Sequence, residues 1–475
     1  MKEAYSYIDG RWLEGKDKTI AVRSPYSGEV VGKQSEATEE EVELALEAAF
    51  TGKKKIAALP AKARASILNK AASLLKERKE TFAQLISLEV GKALKNTRDE
   101  VARSIETLEQ SAEEAKRLHG TTLPGDVSER GKASMALTFR VPVGVVAAIT
   151  PFNAPLNLIC HKIGPSFAAG NATILKPAPQ SSLIAAAFVE LLLQAEMPAE
   201  AVQLVIGGTA HGQRIVEDWR TNIVSFTGGV AGGKQICHTA GLKKVLLELG
   251  GNSATIVHQD ADVERAATLC VRTGFSNAGQ SCISVQRIYV HESVMDFFLQ
   301  TLKQQTARLV VGDPLAEDTD VGCVINEETG ERIERWVKEA VAEGAELVCG
   351  GRQDRALIQP TILLGPRKKS KVVCEEVFGP VISVIPYTSL ETAIAEVNDS
   401  AFGLQAGIFS NSLPVITKVA LELEMGGVVV NGTSNYRLDH WPYGGIKQSG
   451  IGREGPKYTV KEMTEMKMVV LQDLL

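Results

Sequence analysis

The sequence predicts an α/β protein that contains parallel, doubly wound sheets. Short apolar runs alternate with helical stretches along most of the chain, which is typical of strands buried on both faces of a parallel sheet. This alternation stops at Gly250-Gly251 and then starts again. A chain of 475 residues is also too long for one simple core. We therefore expect two or three domains, with an α/β domain on each side of residue 250.

The segment from Glu39 to Leu118 has the apolar spacing of amphipathic helices. The apolar residues form three stripes: Val42, Ala45, Leu46 and Ala49; Ile67, Leu68, Ala71, Leu74 and Leu75; and Val101, Ile105, Leu108, Ala112 and Ala115. Residues 121–140 then change character, because Leu123-Pro124-Gly125-Asp126 is a turn sequence and Ser134 to Phe139 alternates like a strand. This segment predicts a hairpin that projects from the helices.

Ten short apolar runs supply the strands of the two predicted sheets. The first five are Val143 to Ile149, Ala172 to Leu175, Val202 to Ile206, Ile223 to Phe226 and Val245 to Leu249. The second five are Ala254 to Val257, Arg287 to Val290, Leu347 to Cys349, Val381 to Ile385 and Gly407 to Phe409. Helices are expected at Leu183 to Ala195, Val263 to Thr273, Ser293 to Val310 and Gly330 to Glu343. A last possible strand, Met466 to Leu471, can pair with the early hairpin or with a neighbouring subunit.

Composition argues against several classes of function. The net charge is −5 and no dense basic run is present, so nucleic-acid binding is not expected. The first fifteen residues contain no apolar signal segment, and the longest apolar stretches are far too short to span a membrane. Seven cysteines without a paired spacing suit reduced thiols in the cytoplasm, and the seven scattered histidines give no support for a metal site.

Cys282 is the first candidate for chemistry. It lies in Gly279-Gln280-Ser281-Cys282-Ile283-Ser284, a small and polar stretch with no apolar run to hide it, whereas most of the other cysteines lie beside core residues. Thiolates attack carbonyl groups, so such a site needs a group that lowers the thiol pKa or removes its proton. A half-buried cysteine without a function stays open as the alternative.

Two polar residues follow predicted strands and suit the chemistry of a nucleophile. Glu248 ends an apolar strand, where desolvation would raise its pKa and make it a usable general base. Asn153 follows the strand before Thr150-Pro151, where its amide can donate to a developing oxyanion, a contribution of ~3 kcal/mol. A glutamate paired with a nearby cation and an asparagine that caps a turn are the open alternatives.

Two features at strand ends suit a nucleotide. Residues 226–233, Phe-Thr-Gly-Gly-Val-Ala-Gly-Gly, form a strand followed by a glycine-rich turn into a helix, which lets the backbone approach a phosphate. Lys176 lies at the carboxyl edge of another strand, where it can bond ribose hydroxyls. Each signal is weak alone, since surface lysines before a helix are common.

Taken together, in this order and spacing, these motifs closely resemble the NAD(P)-dependent aldehyde dehydrogenase superfamily. Further matching segments are Ser24-Pro25-Tyr26-Ser27-Gly28-Glu29, Glu375-Glu376-Val377-Phe378-Gly379-Pro380, Phe402-Gly403-Leu404 and Pro442-Tyr443-Gly444-Gly445-Ile446-Lys447-Gln448-Ser449-Gly450. The resemblance covers essentially the whole chain. It implies a Rossmann-type cofactor domain (1–120 and 142–250), an α/β catalytic domain (251–440) and a β-hairpin oligomerisation arm (121–141 and 455–475).

The resemblance also implies roles for the matching residues. Cys282 would be the nucleophile, Asn153 and the Cys282 backbone N–H would form the oxyanion hole, and Glu248 would activate the deacylating water. Lys176 and Glu376 would bind ribose hydroxyls. The implied cofactor-binding set is Ile149, Thr150, Pro151, Phe152, Lys176, Pro179, Gly212, Phe226, Thr227, Gly228, Gly229, Gly233, Leu249, Glu376 and Phe378.

The mechanism implied by the resemblance is oxidation of an aldehyde to a carboxylate. The Cys282 thiolate attacks the aldehyde, hydride leaves to the nicotinamide of NAD or NADP, and a thioester remains on the cysteine. Glu248 then deprotonates the water that hydrolyses the thioester. CoA-acylating relatives typically lack this glutamate, so its presence favours hydrolysis.

Pro179 departs from the pattern of NAD-preferring relatives, which often carry a glutamate at this position. A missing carboxylate removes repulsion against a 2′-phosphate. The sequence therefore predicts that NADP is accepted.

Arg103 and Arg437 are the candidate substrate residues. They resemble arginines that hold anionic groups in non-phosphorylating glyceraldehyde-3-phosphate dehydrogenases, and guanidinium groups suit phosphate, sulfonate or carboxylate. Ser281 stands where those enzymes often place a further arginine, which weakens the case for a phosphate. A small anionic or hydroxylated aldehyde (lactaldehyde, a semialdehyde, or a phosphono- or sulfo-aldehyde) is expected, and structural ion pairs for both arginines stay open.

Two other functions remain to be weighed against the dehydrogenase. A cofactor-free cysteine hydrolase or acyltransferase would need a histidine base, for which His291 is the nearest candidate downstream of Cys282. A non-catalytic protein on the same fold would not need Cys282, Glu248, Asn153 and Lys176 together. We expect a cytoplasmic homodimer or homotetramer that binds a small aldehyde and neither nucleic acid, membrane nor metal.

Overall fold

The computed structural model describes residues 2–14 and 18–472. Four helices follow the first strands: Glu39–Ala57, Ala61–Glu77, Lys79–Val90 and Leu94–Ala115. The three predicted stripes lie on the first, second and fourth of them, and their apolar residues are buried except Ile67 and Leu74, which are half-buried. The first helix begins with a capping box between Thr38 and Glu41, which satisfies two backbone N–H groups at its start.

The first sheet has eight strands, of which the central five are parallel. In spatial order the strands are Gly450–Ile451, Lys244–Glu248, Ile223–Thr227, Val145–Thr150, Ala172–Pro177, Val202–Leu204, Ser6–Ile8 and Arg11–Leu13. Helices Pro155–Ala169, Ser182–Gln194, Thr209–Glu217 and Val230–Thr239 connect the parallel strands. The doubly wound prediction is confirmed. The chain order reverses at Val145–Thr150, whose neighbours are Ala172–Pro177 and Ile223–Thr227, so a ligand crevice is expected at the carboxyl ends of these strands.

The second sheet has seven strands and is parallel except at one edge. In spatial order they are Glu346–Cys349, Thr361–Leu364, Val381–Tyr387, Arg287–His291, Ala254–Val257, Gln405–Phe409 and Gly427–Val430. Its helices are Val263–Gly274, Met295–Thr306, Glu327–Ala342, Lys371–Cys374, Leu390–Asn398 and Leu413–Glu422. The strands Thr361–Leu364 and Gly427–Val430 were not predicted. The five predicted strands are all present.

A three-stranded sheet contains the predicted hairpin. Thr122–Pro124 and Ser134–Pro142 form the hairpin, so the predicted turn at 123–126 begins as a short strand. The strand Thr464–Gln472 pairs antiparallel with Ser134–Pro142 over its whole length. The last predicted strand therefore pairs with the hairpin of its own chain. Met466, Met468 and Val470 remain exposed on it.

Smaller elements complete the fold. Lys2–Ala4, Thr19–Arg23 and Val30–Ser35 form a three-stranded sheet, and Gln353–Asp354 with Leu357–Ile358 and Phe402–Gly403 with Ile446–Lys447 form two short ladders. Helix Pro456–Glu462 packs against helices Pro155–Ala169 and Leu94–Ala115. Within the part of the chain that the structure describes, no helix is long and apolar enough to cross a membrane. The two large sheets have separate buried cores, while the exact domain boundaries stay a prediction.

Candidate active site

A cleft of about 830 Å³ gathers residues from distant parts of the chain around Cys282. Helix Leu94–Ala115 contributes Arg103, the loop after the first sheet's central strand contributes Asn153, and the segment 435–443 contributes Arg437. The structure therefore brings together four of the residues that the sequence singled out. Glu248 is not part of this cleft.

Cys282 lies in a loop whose backbone is fixed by an unusual turn. Asn277, Ala278 and Gly279 have φ angles of 53°, 52° and 71°, which L-residues other than Asn and Asp rarely adopt. A Cβ at Gly279 would lie 2.1 Å from the carbonyl oxygen of Gly379, so only glycine fits. This turn sets the position of the cysteine three residues beyond it.

The expectation that no apolar residue hides Cys282 is wrong. The side chain is half-buried and packs against Ile283, Leu404 and Tyr443. Two of these neighbours come from far along the chain, which is why the local sequence gave no sign of them. Burial raises the pKa of the Cys282 thiol to about 12, although a hydrogen bond with Tyr443, at 2.9 Å from Sγ to Oη, acts in the opposite direction.

Asn153 is anchored beside the cysteine loop. Its Nδ2 donates to the carbonyl of Gln280 at 3.1 Å, and its own carbonyl accepts from Asn277 Nδ2 at 3.0 Å. The side-chain amide of Asn153 is therefore bound to Gln280, which is two residues before Cys282, and Asn153 lines the same cleft. An oxyanion on a substrate would compete with the Gln280 carbonyl for this N–H donor.

Glu248 ends its strand as predicted, but its carboxyl group faces a second, smaller cavity. Lys162, Arg453 and Glu454 line this cavity with it. Glu248 is 7% exposed and its Oε2 has no hydrogen-bond partner among the described residues. Burial first, and then the charge of Glu454, raise the pKa of Glu248 well above its usual range. The desolvation expected at the strand end is present, and Glu248 lines this second cavity and not the Cys282 cleft.

The crevice at the strand-order reversal has the features of a nucleotide site. Thr150 and Thr227 end the two strands that flank it, and the hydroxyl groups of both are buried without a partner among the described residues. Lys176 lies at the next strand end, where burial lowers its pKa to about 8. Its side chain lies close to Gly212, where an added Cβ would meet Lys176 Cδ and Ile149 Cδ1 at 3.7 Å each.

The glycine-rich turn forms the floor of this crevice. A Cβ at Gly228 would lie 2.5 Å from the Phe226 ring, whereas Gly229 faces open space and immediately precedes helix Val230–Thr239. Gly233 in that helix packs on Leu249, 2.6 Å from an added Cβ. Free backbone N–H groups at a helix start bind phosphate oxygens. The residues thus fit a dinucleotide, because Gly229 leaves room at the helix start for a phosphate group.

Residues of the second sheet close the other side of the crevice. Glu376 Oε1 accepts from the N–H of Gly251 at 3.0 Å, and a Cβ on Gly250 would lie 2.2 Å from the same carboxyl group. Burial raises the pKa of Glu376 to about 7. Phe378 has a φ of 48°, and its ring lies edge-to-face with the Phe152 ring, with 6.0 Å between the two ring centroids. Pro151 adjoins Phe152, and Pro179 begins a short turn after the Lys176 strand.

Both predicted substrate arginines line the cleft, and both already have carboxylate partners. Arg103 donates from Nε and Nη2 to Asp439 at 2.9 and 2.8 Å. Arg437 donates from Nη2 to Glu454 at 2.9 Å and lies over the Tyr443 ring at 4.0 Å, while its Nε has no hydrogen-bond partner among the described residues. The ion-pair alternative thus has direct geometric support, although the contact of Arg437 Nε with Asp439 Oδ1, at 3.9 Å, is too long for a hydrogen bond.

The sequence did not single out Asp439, Glu454, His161 or Tyr443. Asp439 is a buried hub that also accepts from Asn157 Nδ2 and His161 Nε2 at 3.0 and 2.8 Å. The only sequence signal was proximity, since Asp439 and Tyr443 stand within six residues of Arg437. His291 lies away from the cleft, where its ring contacts His258 and Tyr387, so it has no geometry for a base at Cys282.

A nucleotide crevice that adjoins a thiol-containing cleft is the arrangement of a nicotinamide-dependent dehydrogenase. The model of the Aldehyde dehydrogenase family matches residues 12–469, and the chain belongs to this family. It is therefore an enzyme that oxidises aldehydes with NAD or NADP.

Individual relatives are similar over nearly their whole length. The 3-sulfolactaldehyde dehydrogenase of Priestia megaterium is 46% identical over 472 residues, covering 99% of this chain and 98% of the relative. The lactaldehyde dehydrogenase of Methanococcus maripaludis is 40% identical, covering 98% of this chain and 100% of the relative. The solved structure of the NADP-dependent glyceraldehyde-3-phosphate dehydrogenase from Bacillus halodurans, complexed with NADP, matches with a TM-score of 0.97 and 36% identity, covering 99% and 100% of the two chains.

Proposed function

We propose that the enzyme oxidises a small 2-hydroxyaldehyde, preferably one with an anionic group, through a thioester on Cys282. The observation that carries this proposal is the position of Arg437 in the wall of the Cys282 cleft. Its buried Nε has no hydrogen-bond partner among the described residues, and the carboxylate oxygen Asp439 Oδ1 lies 3.9 Å away, too far for a hydrogen bond. A buried donor without a partner is costly, so a substrate oxygen that accepts from it gains affinity. The substrates in the names of the three relatives are all three-carbon 2-hydroxyaldehydes.

We assign a residue of the chain to each step of the proposed reaction. Cys282 attacks the aldehyde carbon, and Asn153 donates to the resulting oxyanion after leaving the Gln280 carbonyl. When bound, the oxidised nicotinamide supplies the hydride acceptor. Glu248 then turns from its own cavity towards the thioester and takes a proton from water. Lys176 and Glu376 hold ribose hydroxyls. Phe378 packs against Phe152 and supports the nicotinamide end of the crevice.

One unpaired cation is available to an anionic substrate group at the outer part of the cleft, where the carboxylates of Asp99 and Glu106 are also exposed. Arg272 lines the cleft and is exposed, and among the described residues its side chain has no ion pair or hydrogen bond. Arg103 and Arg437 are neutralised by Asp439 and Glu454. Ser281 precedes the nucleophile and carries no charge. Arg272 can therefore bind a carboxylate or sulfonate group of the substrate at the entrance of the cleft, while Arg437 binds a substrate oxygen nearer the Cys282 thiol.

A panel of aldehydes tests the substrate proposal. Lactaldehyde, 3-sulfolactaldehyde, glyceraldehyde 3-phosphate, a semialdehyde and propanal are compared by kcat/KM, and the 2-hydroxyaldehydes are expected to exceed propanal at least ~10-fold, about one charged hydrogen bond. Arg437→Ala and Arg103→Ala should raise KM for them, whereas Arg335→Ala, on an exposed helix face of the second domain, should not. Equal kcat/KM for propanal and the hydroxyaldehydes would refute this substrate class.

We also propose that NADP is accepted as well as NAD. Pro179 follows Lys176 in the crevice and brings no carboxylate near the adenosine ribose, so a 2′-phosphate meets no repulsion there. Initial rates with both cofactors test this. A kcat/KM with NAD a hundredfold above that with NADP would contradict it.

The assembly and location complete the proposal. We propose a homodimer or homotetramer joined through the arm, because Met466, Met468 and Val470 expose an apolar strand face. Light scattering after size-exclusion chromatography gives the mass directly, and Met466→Lys with Met468→Lys should lower it. Seven free cysteines support a reducing, cytoplasmic location, which fractionation of cells would test.

A further inference from the structure

Tyr443 contacts the sulfur atom of Cys282 directly. Its Oη lies 2.9 Å from Sγ, and Tyr443 is only 5% exposed. Among the described residues, this hydroxyl is the hydrogen-bond partner of the Cys282 side chain. The Cys282 thiol therefore has a hydrogen bond to one protein group in place of contacts with bulk water. The nature of that group affects how easily the sulfur ionises.

The phenol is held from two sides. The Tyr443 backbone N–H donates to the Glu454 carbonyl at 3.0 Å, and the Glu454 N–H donates back to Tyr443. The guanidinium of Arg437 lies over the ring, 4.0 Å from its centre, and is itself bound to the Glu454 carboxylate. The cation over the ring withdraws electron density and makes the phenol O–H a better donor.

Only one direction of the hydrogen bond is possible once the sulfur is ionised. A thiolate has no proton to give, so Tyr443 must then donate. Burial, and next the neighbouring Cys282, raise the pKa of Tyr443 well above its usual range, so the phenol keeps its proton. A hydrogen bond to an anion is stronger than one to a neutral thiol, and the contact therefore favours the ionised sulfur.

We infer that Tyr443 is a further catalytic residue, whose O–H donates to the Cys282 thiolate and stabilises the nucleophile. The inference rests on the proposed role of Cys282 as nucleophile. The thiol proton leaves to water in the cleft, and Tyr443 retains its own proton throughout. When the sulfur–carbon bond forms, the carbonyl π bond breaks, the charge moves from sulfur to oxygen and the Tyr443 hydrogen bond weakens.

The expected size of the effect is a shift in the ionisation of Cys282 by about one pH unit, or about tenfold in the thiolate fraction at a given pH. A less stabilised thiolate is more nucleophilic, with a Brønsted slope of about 0.4–0.5. The net loss of rate at neutral pH is therefore about threefold. The shift of the pH midpoint is the sharper measurement.

The test is the pH dependence of alkylation of Cys282 in the full-length enzyme. Iodoacetamide labelling is followed by mass spectrometry of the Cys282 peptide, because Cys237 and Cys374 are exposed and would dominate a bulk thiol assay. Tyr443→Phe should raise the midpoint by about one pH unit and slow the single-turnover rate with little change in KM. The matched control is Tyr387→Phe, which removes a buried hydroxyl bonded to His258, away from the cleft, and should leave the midpoint unchanged.

A Tyr443→Phe midpoint equal to that of the unaltered enzyme would overturn the inference. Should this variant not fold, site-specific 3-fluorotyrosine at position 443 is a milder probe. A more acidic phenol strengthens the hydrogen bond, so the midpoint should fall, and an unchanged midpoint would again overturn it. The two proposals fail separately: absence of aldehyde-dependent NAD(P) reduction removes the proposed function, whereas an unshifted alkylation profile in an active enzyme removes only the role of Tyr443.

Discussion

Replacing Asp439 by asparagine tests the buried charge network that shapes the cleft. Asp439 Oδ1 accepts from Arg103 Nη2, Asn157 Nδ2 and His161 Nε2, and Oδ2 accepts from Arg103 Nε. An asparagine keeps one acceptor oxygen but turns the other position into an N–H donor. That donor would face the guanidinium of Arg103 or the donors of its other partners.

The cost of this change follows from the contacts. Breaking a buried ion pair costs about 3–5 kcal/mol. The lower end applies here, because the Arg103 side chain is 34% exposed and water partly screens its charge. With an unfolding entropy of about 2.1 cal/mol/K per residue over the whole chain, a loss of about 3 kcal/mol lowers the midpoint of thermal unfolding by about 3 °C.

The loss should also depend on pH in a defined direction. Burial alone would raise the pKa of Asp439, but the hydrogen bond from His161 and the charge of Arg103 hold it well below its usual range. A carboxyl group with a depressed pKa stabilises the fold above its unfolded pKa of about 3.9 and loses that contribution as the pH falls. The difference between the two proteins should be constant from about pH 7 to pH 5 and narrow below about pH 4.

Differential scanning fluorimetry over this pH range measures the effect. Asp262→Asn is the control, because Asp262 is an exposed helix N-cap where asparagine caps as well as aspartate. A thermal midpoint for Asp439→Asn within 1 °C of the unaltered protein at pH 7 would refute the reasoning. If the difference in thermal midpoint between Asp439→Asn and the unaltered protein grew as the pH falls, the predicted direction of the pH dependence would be refuted.

Three further predictions concern catalysis and the cofactor. Glu248→Gln should give a burst of one reduced cofactor per Cys282 and then a steady rate lower by about 10²–10⁴-fold, whereas an unchanged steady rate in stopped-flow absorbance would exclude Glu248 as the base. Glu454→Gln removes a negative charge that raises the pKa of Glu248, so the acid limb of thioester hydrolysis should move to lower pH by about one unit; a shift to higher pH in the pH–rate profile would contradict the coupling. Pro179→Glu should lower the ratio of kcat/KM for NADP to kcat/KM for NAD by about tenfold, which is the size of one nearby charge repulsion. An unchanged ratio would show that position 179 does not lie near the 2′-phosphate.

Much of the fold was predictable because its central strands are short apolar runs between turn residues. Several strands were missed, among them two that are apolar runs, Thr361–Leu364 and Gly427–Val430. Ser6–Ile8 is only three residues long. It pairs locally with Arg11–Leu13, and only Tyr7 pairs with Leu204, almost two hundred residues away. Thr361–Leu364 and Gly427–Val430 likewise lie at positions that their partners define, next to Val381–Tyr387 and Gln405–Phe409.

The candidate site was predictable in its members and not in their mutual orientation. Glu248 was placed at a strand end, but no sequence pattern tells which cavity its rotamer faces. Tyr443 contacts Cys282 across 161 positions of the chain, so the contact exists only after both sheets are assembled. Arg103 and Arg437 drew attention as arginines, while their carboxylate partners, Asp439 and Glu454, are visible only in the folded chain.

The pairing of Thr464–Gln472 with Ser134–Pro142 has a consequence for biosynthesis. The earlier strand is translated about 320 residues before its partner, which at about 5–20 residues per second is a delay of roughly 15–65 s. During that interval one edge of Ser134–Pro142 offers unpaired N–H and C=O groups, which are a template for pairing with another nascent chain. All strands of the second sheet, between Ala254 and Val430, are synthesised during this interval. Yield of the folded enzyme in the cell therefore depends on keeping that edge apart from its neighbours on the polysome until residue 472 has been added.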